Sequence, residues 1–295
     1  MLAADGVAPG QPVLDGVVAL LDLEQLEVNL FRGVSPPGLP TRVFGGQVAG
    51  QALVAAGRTV PVEREVHSLH AYFIRAGDPK IPIVYQVERI RDGRSFTTRR
   101  VLAIQHGQAI FALSGSFQLP QDGLEHADAL PAGIPDPESL PDIGQLVEES
   151  GTDSGLWAKV PRPNLRYVTG LGWPPRRTGL TDGPIRVWMR ADGTLPEDKL
   201  LHVCMLTFAS DLTLLNSVIA RHDIHVPDER IQRASLDHAM WFHRPFRADE
   251  WLLYECCSPT ASGSRGLAQG RFFSRDGRLV ATAVQEGLVR ITSHV

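Results

Sequence analysis

The sequence predicts an α+β protein made of two tandem modules, each an antiparallel sheet wrapped around one central helix. Three observations support this fold class: a long internal repeat, turn-forming residues between the repeated blocks, and a helical pattern ahead of each repeat. The chain has 295 residues, 43% of them hydrophobic, which is enough for two domains with buried cores.

The internal repeat relates the region after residue 67 to the region after residue 234. "HSLHAYFIRAG" resembles "ASLDHAMWFHRP", and three further β-rich blocks follow each of them in the same order. The offset drifts only from 167 residues, between Ser68 and Ser235, to 170 residues, between Gly107 and Gly277. A nearly constant offset over four consecutive blocks predicts that one fold occurs twice.

Turn-forming dipeptides separate the blocks at Asp92-Gly93, His106-Gly107 and Asp276-Gly277. Such dipeptides favour short hairpins because they tolerate positive φ angles. Each repeat is therefore predicted to be an antiparallel meander.

A helix is predicted ahead of the first meander, in "GGQVAGQALVAAGRTV". Its stripe of small and apolar side chains allows a close approach to a sheet, and consists of Val48, Ala49, Ala52, Leu53 and Ala56. Gly45-Gly46 at its start lacks the Lys-Ser/Thr pair of a phosphate-binding loop, so these glycines are interpreted as a helix start or a packing contact.

A second helical segment, "KLLHVCMLTFASDLTLLNSVIA", follows start signals between Thr194 and Asp198. Its apolar seam comprises Leu201, Cys204, Met205, Phe208, Leu212 and Leu215. Asp211 lies at the edge of that seam, where a carboxylate needs compensating hydrogen bonds. A functional buried carboxylate and a local cap at a helix break are equally open interpretations.

The domain organisation follows from these elements. Residues 1–118 form the first module and residues 167–295 the second, which carries the candidate site. Residues 119–166 are rich in Pro, Gly and acids and are predicted to be a linker with one short helix at "DIGQLVEES".

Composition excludes several classes of protein. The formal net charge is −4 and Arg residues alternate with acids, so no basic stripe for nucleic acid is expected. Three cysteines, Cys204, Cys256 and Cys257, fit reduced thiols of a cytoplasmic protein. The N-terminal region lacks a basic segment and its apolar run is interrupted by acids, so neither secretion nor membrane insertion is expected.

The segment "SLDHAMWFHRP" concentrates polar groups among apolar ones. His238 and His243 are five residues apart, which places them on opposite faces of a strand or roughly 140° apart on a helix, so a shared metal is not expected. Strand alternation places Ser235 with Asp237 on one face and His238 on the other. Local evidence favours a strand-end hydroxyl for Ser235 and structural roles for Asp237, His238 and His243.

Other polar residues have ordinary local interpretations. Gln285 stands at a predicted strand end, where a lone Gln is usually exposed to solvent. Arg265 and "PPRR" (174–177) could hold phosphates, although solvated Arg is the default. The sequence has no Gly-x-Ser-x-Gly elbow and no zinc signature.

Seven ordered motifs resemble those of the acyl-CoA thioesterase II family: "VFGGQVAGQAL", "VHSLHAYFIRAGD", "RDGRSF", "FASDL", "LDHAMWFHRPF", "DEWLLY" and "VQEG". The resemblance covers about residues 20 to 291. It implies two tandem hotdog modules, a double hotdog, and hydrolysis of acyl-CoA to a free fatty acid and CoA without a metal or redox cofactor.

By motif, the family's catalytic Asp, hydroxyl and Gln fall on Asp211, Ser235 and Gln285. The resemblance implies that Asp211 is a general base and that Ser235 and Gln285 position the attacking water. Backbone N–H groups near a helix are expected to stabilise the oxyanion. Close relatives often carry Thr at the second position; Ser keeps the hydroxyl but lacks the methyl that fixes the rotamer.

The first repeat lacks this set of residues. Ala52 or Leu53 occupies roughly the Asp211 position, and Gly115 or Ser116 occupies the Gln285 position, while Ser68 keeps a hydroxyl without partners. One active site per chain is therefore expected, walled partly by the other module. His67 is a secondary candidate near that site.

Two alternative functions are weighed against hydrolysis. A hotdog hydratase or dehydratase acting on enoyl-CoA or hydroxyacyl-CoA generally pairs an Asp with a His five residues later, but Asn216 stands at that distance from Asp211. A non-catalytic acyl-CoA-binding protein is expected to have lost the polar triad or to carry a DNA-binding segment, and neither is seen. Exposed sheet edges predict a homodimer or a higher homo-oligomer.

Overall fold

The computed structural model describes residues 10–37, 41–150, 162–168, 183–222 and 231–292. The helices are α1 (Gln11–Leu21), α2 (Gly45–Gly57), α3 (Ile143–Ser150), α4 (Lys199–Ser210) and α5 (Asn216–Ile219), with a 3-10 turn at Pro137–Ser139. The strands of the first half are β1 (Glu24–Glu27), β2 (Leu30–Gly33), β3 (Glu65–Phe73), β4 (Ile83–Asp92), β5 (Phe96–Gln105) and β6 (Gln108–Gln118). Those of the second half are β7 (Asn164–Tyr167), β8 (Ile185–Arg190), β9 (Ile231–Ser235), β10 (Asp237–Phe242), β11 (Leu252–Ser262), β12 (Arg265–Ser274) and β13 (Leu279–Ile291).

All strands of the described residues join one sheet in the order β1-β2-β4-β5-β6-β3-β10-β13-β12-β11-β8-β7, with β9 paired to β13. The two halves meet where β3 runs antiparallel to β10, and His70 lies opposite Ala239. The strand order is therefore duplicated about that seam, as the internal repeat predicts.

The predicted hairpins are confirmed. The pairs β4/β5, β5/β6 and β12/β13 are antiparallel, and the turn residues His106, Gly107 and Gly277 have φ angles of 50°, 71° and 89°. The sheet also extends beyond the predicted meanders, because β7 begins inside the segment expected to be a linker and pairs with β8. The short helix predicted in that segment is α3.

Helix α2 is buried on every side between Gly46 and Ala56, because the sheet covers one face and α1 and α4 cover others. The predicted apolar stripe is therefore confirmed. An added Cβ atom at Gly46 would lie 2.2 Å from the carbonyl oxygen of Phe208, and one at Gly57 would lie 2.4 Å from Leu200. Glycine is required at Gly46, where the close atom belongs to the backbone, whereas at Gly57 the Leu200 side chain could shift. Gly45-Gly46 is the helix start and packing contact expected from the sequence.

The second helical segment is interrupted after Ser210, so the helix break that the sequence left open is present. Asp198 caps α4 by accepting hydrogen bonds from the backbone N–H groups of Leu200 and Leu201, and the helix ends at Ser210. Residues 211–215 form turns before α5. The Ser210 hydroxyl donates to the Thr207 carbonyl at 2.8 Å and so satisfies one backbone acceptor at the helix end.

The interruption changes which seam residues are buried. Cys204, Met205 and Phe208, which precede it, are buried. Leu212 and Leu215 follow it and are only half-buried, as is Leu201 in the first turn.

Two further sequence predictions concern thiols and membranes. Cys204, Cys256 and Cys257 are free thiols, and Cys257 is exposed rather than packed. Within the described ranges, no helix is long and apolar enough to cross a membrane.

Candidate active site

Asp211, Ser235 and Gln285 meet in the second half of the molecule. The Gln285 side-chain amide donates to Oδ1 of Asp211 at 2.6 Å, and the Ser235 hydroxyl donates to the same oxygen at 3.2 Å. The three residues that were predicted from separate motifs therefore form one hydrogen-bonded group.

Three different elements bring these side chains together. Asp211 is the C-cap residue that directly follows α4, Ser235 is the last residue of β9, and Gln285 lies within β13. Strand β9 pairs with β13, and Ser235 lies opposite Gly287. The interruption of the second helix turns the Asp211 carboxylate toward these strands, so of the two open interpretations the structure favours a buried polar site over a cap for the following turn.

An extra residue in the strand determines where Ser235 points. Ser235 lies opposite Gly287, whereas Ala239, four residues later, lies opposite Val284, only three residues away. Leu236 is the extra residue, so the strand contains a β-bulge. Because of this shift, Ser235 reaches Asp211 while His238, three residues further on, reaches the neighbouring Ser210. The prediction that Ser235 and Asp237 share one face is wrong for this reason.

The surroundings of Asp211 affect its acidity in opposite directions. Burial raises the pKa of the Asp211 carboxyl above its usual range, and this is the largest influence. Hydrogen bonds from Gln285 and Ser235, the backbone N–H of Gly46 and the positive charge of Arg42 all favour the ionised form. The net result is a carboxylate whose pKa is higher than that of an exposed Asp, which makes it a stronger base.

Gln285 is fully buried, which corrects the expectation that it is exposed at a strand end. Its amide nitrogen is used by Asp211, whereas its Oε1 atom has no hydrogen-bond partner among the described residues. A buried acceptor without a partner is costly unless a ligand or water satisfies it. Gln285 can therefore accept a hydrogen bond from a molecule that also contacts Asp211.

The first half of the chain supplies one wall of the site. An added Cβ atom at Gly45 would lie 2.7 Å from Oδ2 of Asp211 and 2.8 Å from the Phe73 ring. The N-terminus of α2 therefore abuts the carboxylate, and its partial positive charge favours an anion there. Sequence reasoning did not identify Gly45 and Gly46 as site residues; the only signal was two consecutive glycines at a helix start.

Asp237, His238 and His243 have structural partners of their own. Asp237 accepts a hydrogen bond from the backbone N–H of Glu286 at 2.6 Å, and His243 lies 2.9 Å from the Thr282 hydroxyl. His238 is buried and its Nε2 lies 2.8 Å from the Ser210 hydroxyl. These protein contacts agree with the structural roles expected for the three residues.

His67 does not lie where the sequence placed it. Its Nε2 is 2.8 Å from the Ser116 hydroxyl, and its ring contacts Phe96 in the first half. Phe73, the residue of β3 that approaches Gly45, is six positions away, about 20 Å along a strand. His67 is therefore remote from Asp211.

The two arginine candidates have different outcomes. Arg265 forms an ion pair with Glu286 at 3.0 Å. The "PPRR" sequence lies outside the described residues.

The structure redefines the first-half counterparts of the site. Gly46 lies two residues after the N-cap of α2 and contacts Asp211. In the same way, Leu200 lies two residues after the N-cap of α4 and contacts Gly57. Gly57 is thus the counterpart of Asp211, rather than Ala52 or Leu53.

The strands complete the comparison of the two halves. Strand β3 has a matching bulge at His67, between Val66 and Ser68. Aligning the two bulges pairs Val66 with Ser235, Ser68 with Asp237 and Gly115 with Gln285. The first half therefore has no polar side chain at the three corresponding positions.

A cavity of about 540 Å³ lies between α1, α4 and the end of β8. Val17, Met205 and Leu206 are among its apolar lining residues. Phe208 and Ala209 also line it, so the cavity begins one helical turn before Asp211. The Phe208 ring packs edge-on against Phe44, at 5.2 Å between centroids, beside the start of α2.

Comparisons with known proteins show the family to which this chain is related. A family model described as acyl-CoA thioesterase matches residues 179–288, and one described as the acyl-CoA thioesterase N-terminal domain matches residues 35–118. Acyl-coenzyme A thioesterase 8 of Mus musculus is 44% identical over 293 residues, covering 95% of this chain and 90% of the relative. Acyl-CoA thioesterase 2 of Haemophilus influenzae is 36% identical over 290 residues, covering 95% and 99%.

Solved structures show the same architecture. The acyl-CoA thioesterase II TesB2 from Mycobacterium marinum superposes with a TM-score of 0.78 at 45% identity, covering 95% of this chain and 99% of that one. A hotdog-fold protein from Alicyclobacillus acidocaldarius has a TM-score of 0.76 at 18% identity, covering 94% and 99%, and bears on the fold alone. The predicted α+β double hotdog is confirmed.

Proposed function

Because the chain belongs to the acyl-CoA thioesterase family, we propose that it hydrolyses fatty acyl-CoA to a free fatty acid and CoA at Asp211, Ser235 and Gln285. The observation that carries the proposal is the convergence of both donors on one oxygen of Asp211, at 2.6 and 3.2 Å. This arrangement holds the carboxylate ionised and oriented in a site that burial has made more basic.

The chemistry proposed for the three side chains follows from their donors and acceptors. A water molecule donates one hydrogen bond to Asp211 and another to the free Oε1 of Gln285, which fixes its oxygen for attack on the thioester carbonyl. Asp211 takes the proton of the water as the C–O bond forms. The tetrahedral intermediate then collapses and its C–S bond breaks. The leaving CoA thiolate takes the proton held by Asp211, which restores the carboxylate and leaves the fatty acid.

The N-terminus of α2 is proposed to stabilise the oxyanion. Backbone N–H groups in the first turn of a helix have no partner within the helix and point along its positive end. Gly45 has no side chain to keep the substrate away from this end, and it lies beside Oδ2 of Asp211. Preorganised donors at such a position act on the charge that develops during the reaction.

Release of free thiol from acyl-CoA is the assay that tests this function. Asp211→Asn keeps the shape of the side chain and one acceptor oxygen but removes the base, so we expect the rate to fall between about a hundred- and ten-thousand-fold. Asp237→Asn is the matched control, because Asp237 is a half-buried carboxylate two residues beyond Ser235 that binds only a backbone N–H group. Undiminished hydrolysis by Asp211→Asn would disprove the assignment.

The hydratase and dehydratase alternative is not favoured by the structure. Asn216, at the position where those enzymes carry His, accepts a hydrogen bond from Arg233 at 3.3 Å and cannot act as a proton-transfer group.

The cellular setting is a further part of the proposal. Free thiols at Cys204, Cys256 and Cys257 support a reducing, cytoplasmic location. The proposed role in fatty acid metabolism follows from the proposed acyl-CoA substrate. A homodimer or higher homo-oligomer is proposed because β1 and β7 end the sheet within the described residues and each leaves one strand edge without a partner. Size-exclusion chromatography with light scattering tests this part separately from the activity.

A further inference from the structure

Two arginines lie beside the candidate site, one from each half of the chain. Arg42 stands three residues before Gly45, and Arg233 stands two residues before Ser235 on β9. Nη2 of Arg42 donates to the backbone carbonyl of Arg233 at 3.0 Å, so the two residues are in direct contact.

Neither arginine has an acidic partner in the described part of the chain. Nη1 of Arg233 donates to the neutral side chain of Asn216 at 3.3 Å, and no carboxylate lies within ion-pair distance of either guanidinium in those ranges. Other arginines of this protein are paired, for example Arg247 with Asp249 at 2.8 Å and Arg186 with Glu255 at 2.6 Å. Within the described ranges other arginines, such as Arg94, also lack an ion pair, but Arg42 and Arg233 contact each other and lie beside the candidate site.

The two charges also act on each other and on the site. Burial is the larger cause of a lowered pKa at Arg233, and the charge of Arg42 adds to it. Like charges held close together disfavour the folded state, and an anion bound between them offsets that repulsion. Guanidinium groups match the geometry of phosphate oxygens and can bind them through two hydrogen bonds.

We propose that Arg42 and Arg233 bind a phosphate group of the CoA portion of the substrate. This inference rests on the proposed function, because it takes the anion to be part of the acyl-CoA whose thioester reaches Asp211. Arg233 lies about 7 Å from Ser235 along the strand, and Arg42 is exposed at the surface. The pair therefore lies beside the triad, with one of its two guanidinium groups at the surface.

The closing experiment compares two substrates with the same acyl thioester. Acyl-CoA carries the phosphates, whereas the acyl thioester of N-acetylcysteamine carries none. For the double variant Arg42→Gln/Arg233→Gln we expect the ratio of kcat/KM for acyl-CoA to kcat/KM for the truncated substrate to fall about ten-fold or more, which corresponds to the loss of charge-assisted hydrogen bonds to phosphate. Increasing salt should lower the same ratio for the unaltered protein.

Two control variants distinguish a general effect of removing a positive charge from a specific effect of the arginines at this site. Arg94→Gln removes an exposed arginine without an ion pair in the β4/β5 turn and should leave the ratio unchanged. Arg233→Lys keeps the charge but loses the two parallel hydrogen bonds of a guanidinium. Its kcat/KM ratio should lie between those of the unaltered protein and of Arg233→Gln.

Three outcomes overturn the inference. An unchanged ratio in the double variant excludes phosphate binding at this pair. An equal loss of kcat/KM with both substrates indicates a structural role for the two arginines. If the ratio is unchanged but free fatty acid inhibits the double variant more weakly, the bound anion is the carboxylate of the product.

Calorimetric titration with free CoA tests the same site without catalysis. We expect the double variant to bind CoA about ten-fold more weakly. If the unaltered protein hydrolyses neither substrate, the proposed function fails, while the titration still decides whether the arginines bind CoA.

Discussion

Gly45 approaches Asp211 so closely that an added Cβ atom would lie 2.7 Å from the carboxylate oxygen Oδ2. The two residues are far apart in sequence and belong to different halves of the chain. The candidate base is therefore enclosed by the helix start of the half that carries no polar triad of its own.

The first prediction tests this contact with Gly45→Ala. The added methyl displaces either the carboxylate or the Phe73 ring, which lies 2.8 Å from the same point, and a misplacement of this size should lower kcat about a hundred-fold. Gly16→Ala is the control, because Gly16 lies in α1 with nothing within 4 Å of an added Cβ. Thiol release and thermal unfolding are measured together, and a fall in stability without a fall in kcat for Gly45→Ala would contradict the prediction.

The second prediction concerns the pH dependence of hydrolysis. The Ser235 hydroxyl lowers the pKa of Asp211 by stabilising the ionised form, so Ser235→Ala should raise that pKa. A general base works only when deprotonated, so the rate declines as the pH falls through its pKa, and this decline should begin at a higher pH in the variant. Ser235→Thr keeps the donor and should retain the original acid limb. Coincident acid limbs of kcat/KM for all three proteins would show that Ser235 does not act on Asp211.

The third prediction concerns stability at low pH. Burial lowers the pKa of His238 from 6.5 to about 4, so the unfolded chain binds a proton below pH 6.5 that the folded chain excludes. The free energy of unfolding should therefore decline as the pH falls from about 6.5 to about 4, by about 3 kcal/mol for this residue. His238→Gln cannot gain that proton, and its urea-unfolding free energy should vary less over the same range. Equal declines in the two proteins would be inconsistent with a neutral, buried His238.

The fourth prediction concerns Arg99, a buried arginine on β5 whose guanidinium contacts Thr59, just after α2. Its guanidinium donates to the Thr59 carbonyl at 3.0 Å, to the Thr59 hydroxyl at 2.9 Å and to Asp92 at 2.7 Å. Arg99→Met should reduce the free energy of unfolding by about 3 kcal/mol, because the hydroxyl and the carbonyl oxygen of buried Thr59 lose their donor.

Arg100 provides the matched control for Arg99 on the same strand. Its ion pair with Glu88 spans 3.7 Å between half-exposed side chains, so Arg100→Met should change the free energy of unfolding by less than about 1 kcal/mol. Urea unfolding followed by circular dichroism measures both variants. Similar losses in the two would contradict the role assigned to Arg99.

The double module was predictable because its signals are periodic and occur twice. Turn dipeptides, the small-residue stripe of α2 and the constant offset all depend on local preference or simple counting. The edge strands were not anticipated; β1 and β7 are only four residues long and lie outside the repeated blocks.

The site was predicted only in part, for reasons that are physical. The motifs placed Asp211, Ser235 and Gln285 in one group, but alternation alone put Ser235 on the face opposite to His238. A bulge adds one residue without changing the residue types around it, so nothing in the sequence reveals the extra Leu236. The contacts of Gly45 and Arg42 were also not predicted, because each depends on the packing of two segments that are distant in sequence.

The pairing of β3 with β10 has a consequence for how this protein behaves on dilution. Because α2 and α4 belong to one polypeptide, the wall formed by Gly45 is present at Asp211 at a high effective concentration that does not depend on how much protein is in solution. Two separate hotdog chains would lose that wall as they dissociate. Because the halves are encoded in one chain, they need not be identical in sequence. The first half can therefore carry Gly57, Val66 and Gly115 where the second half carries the polar triad.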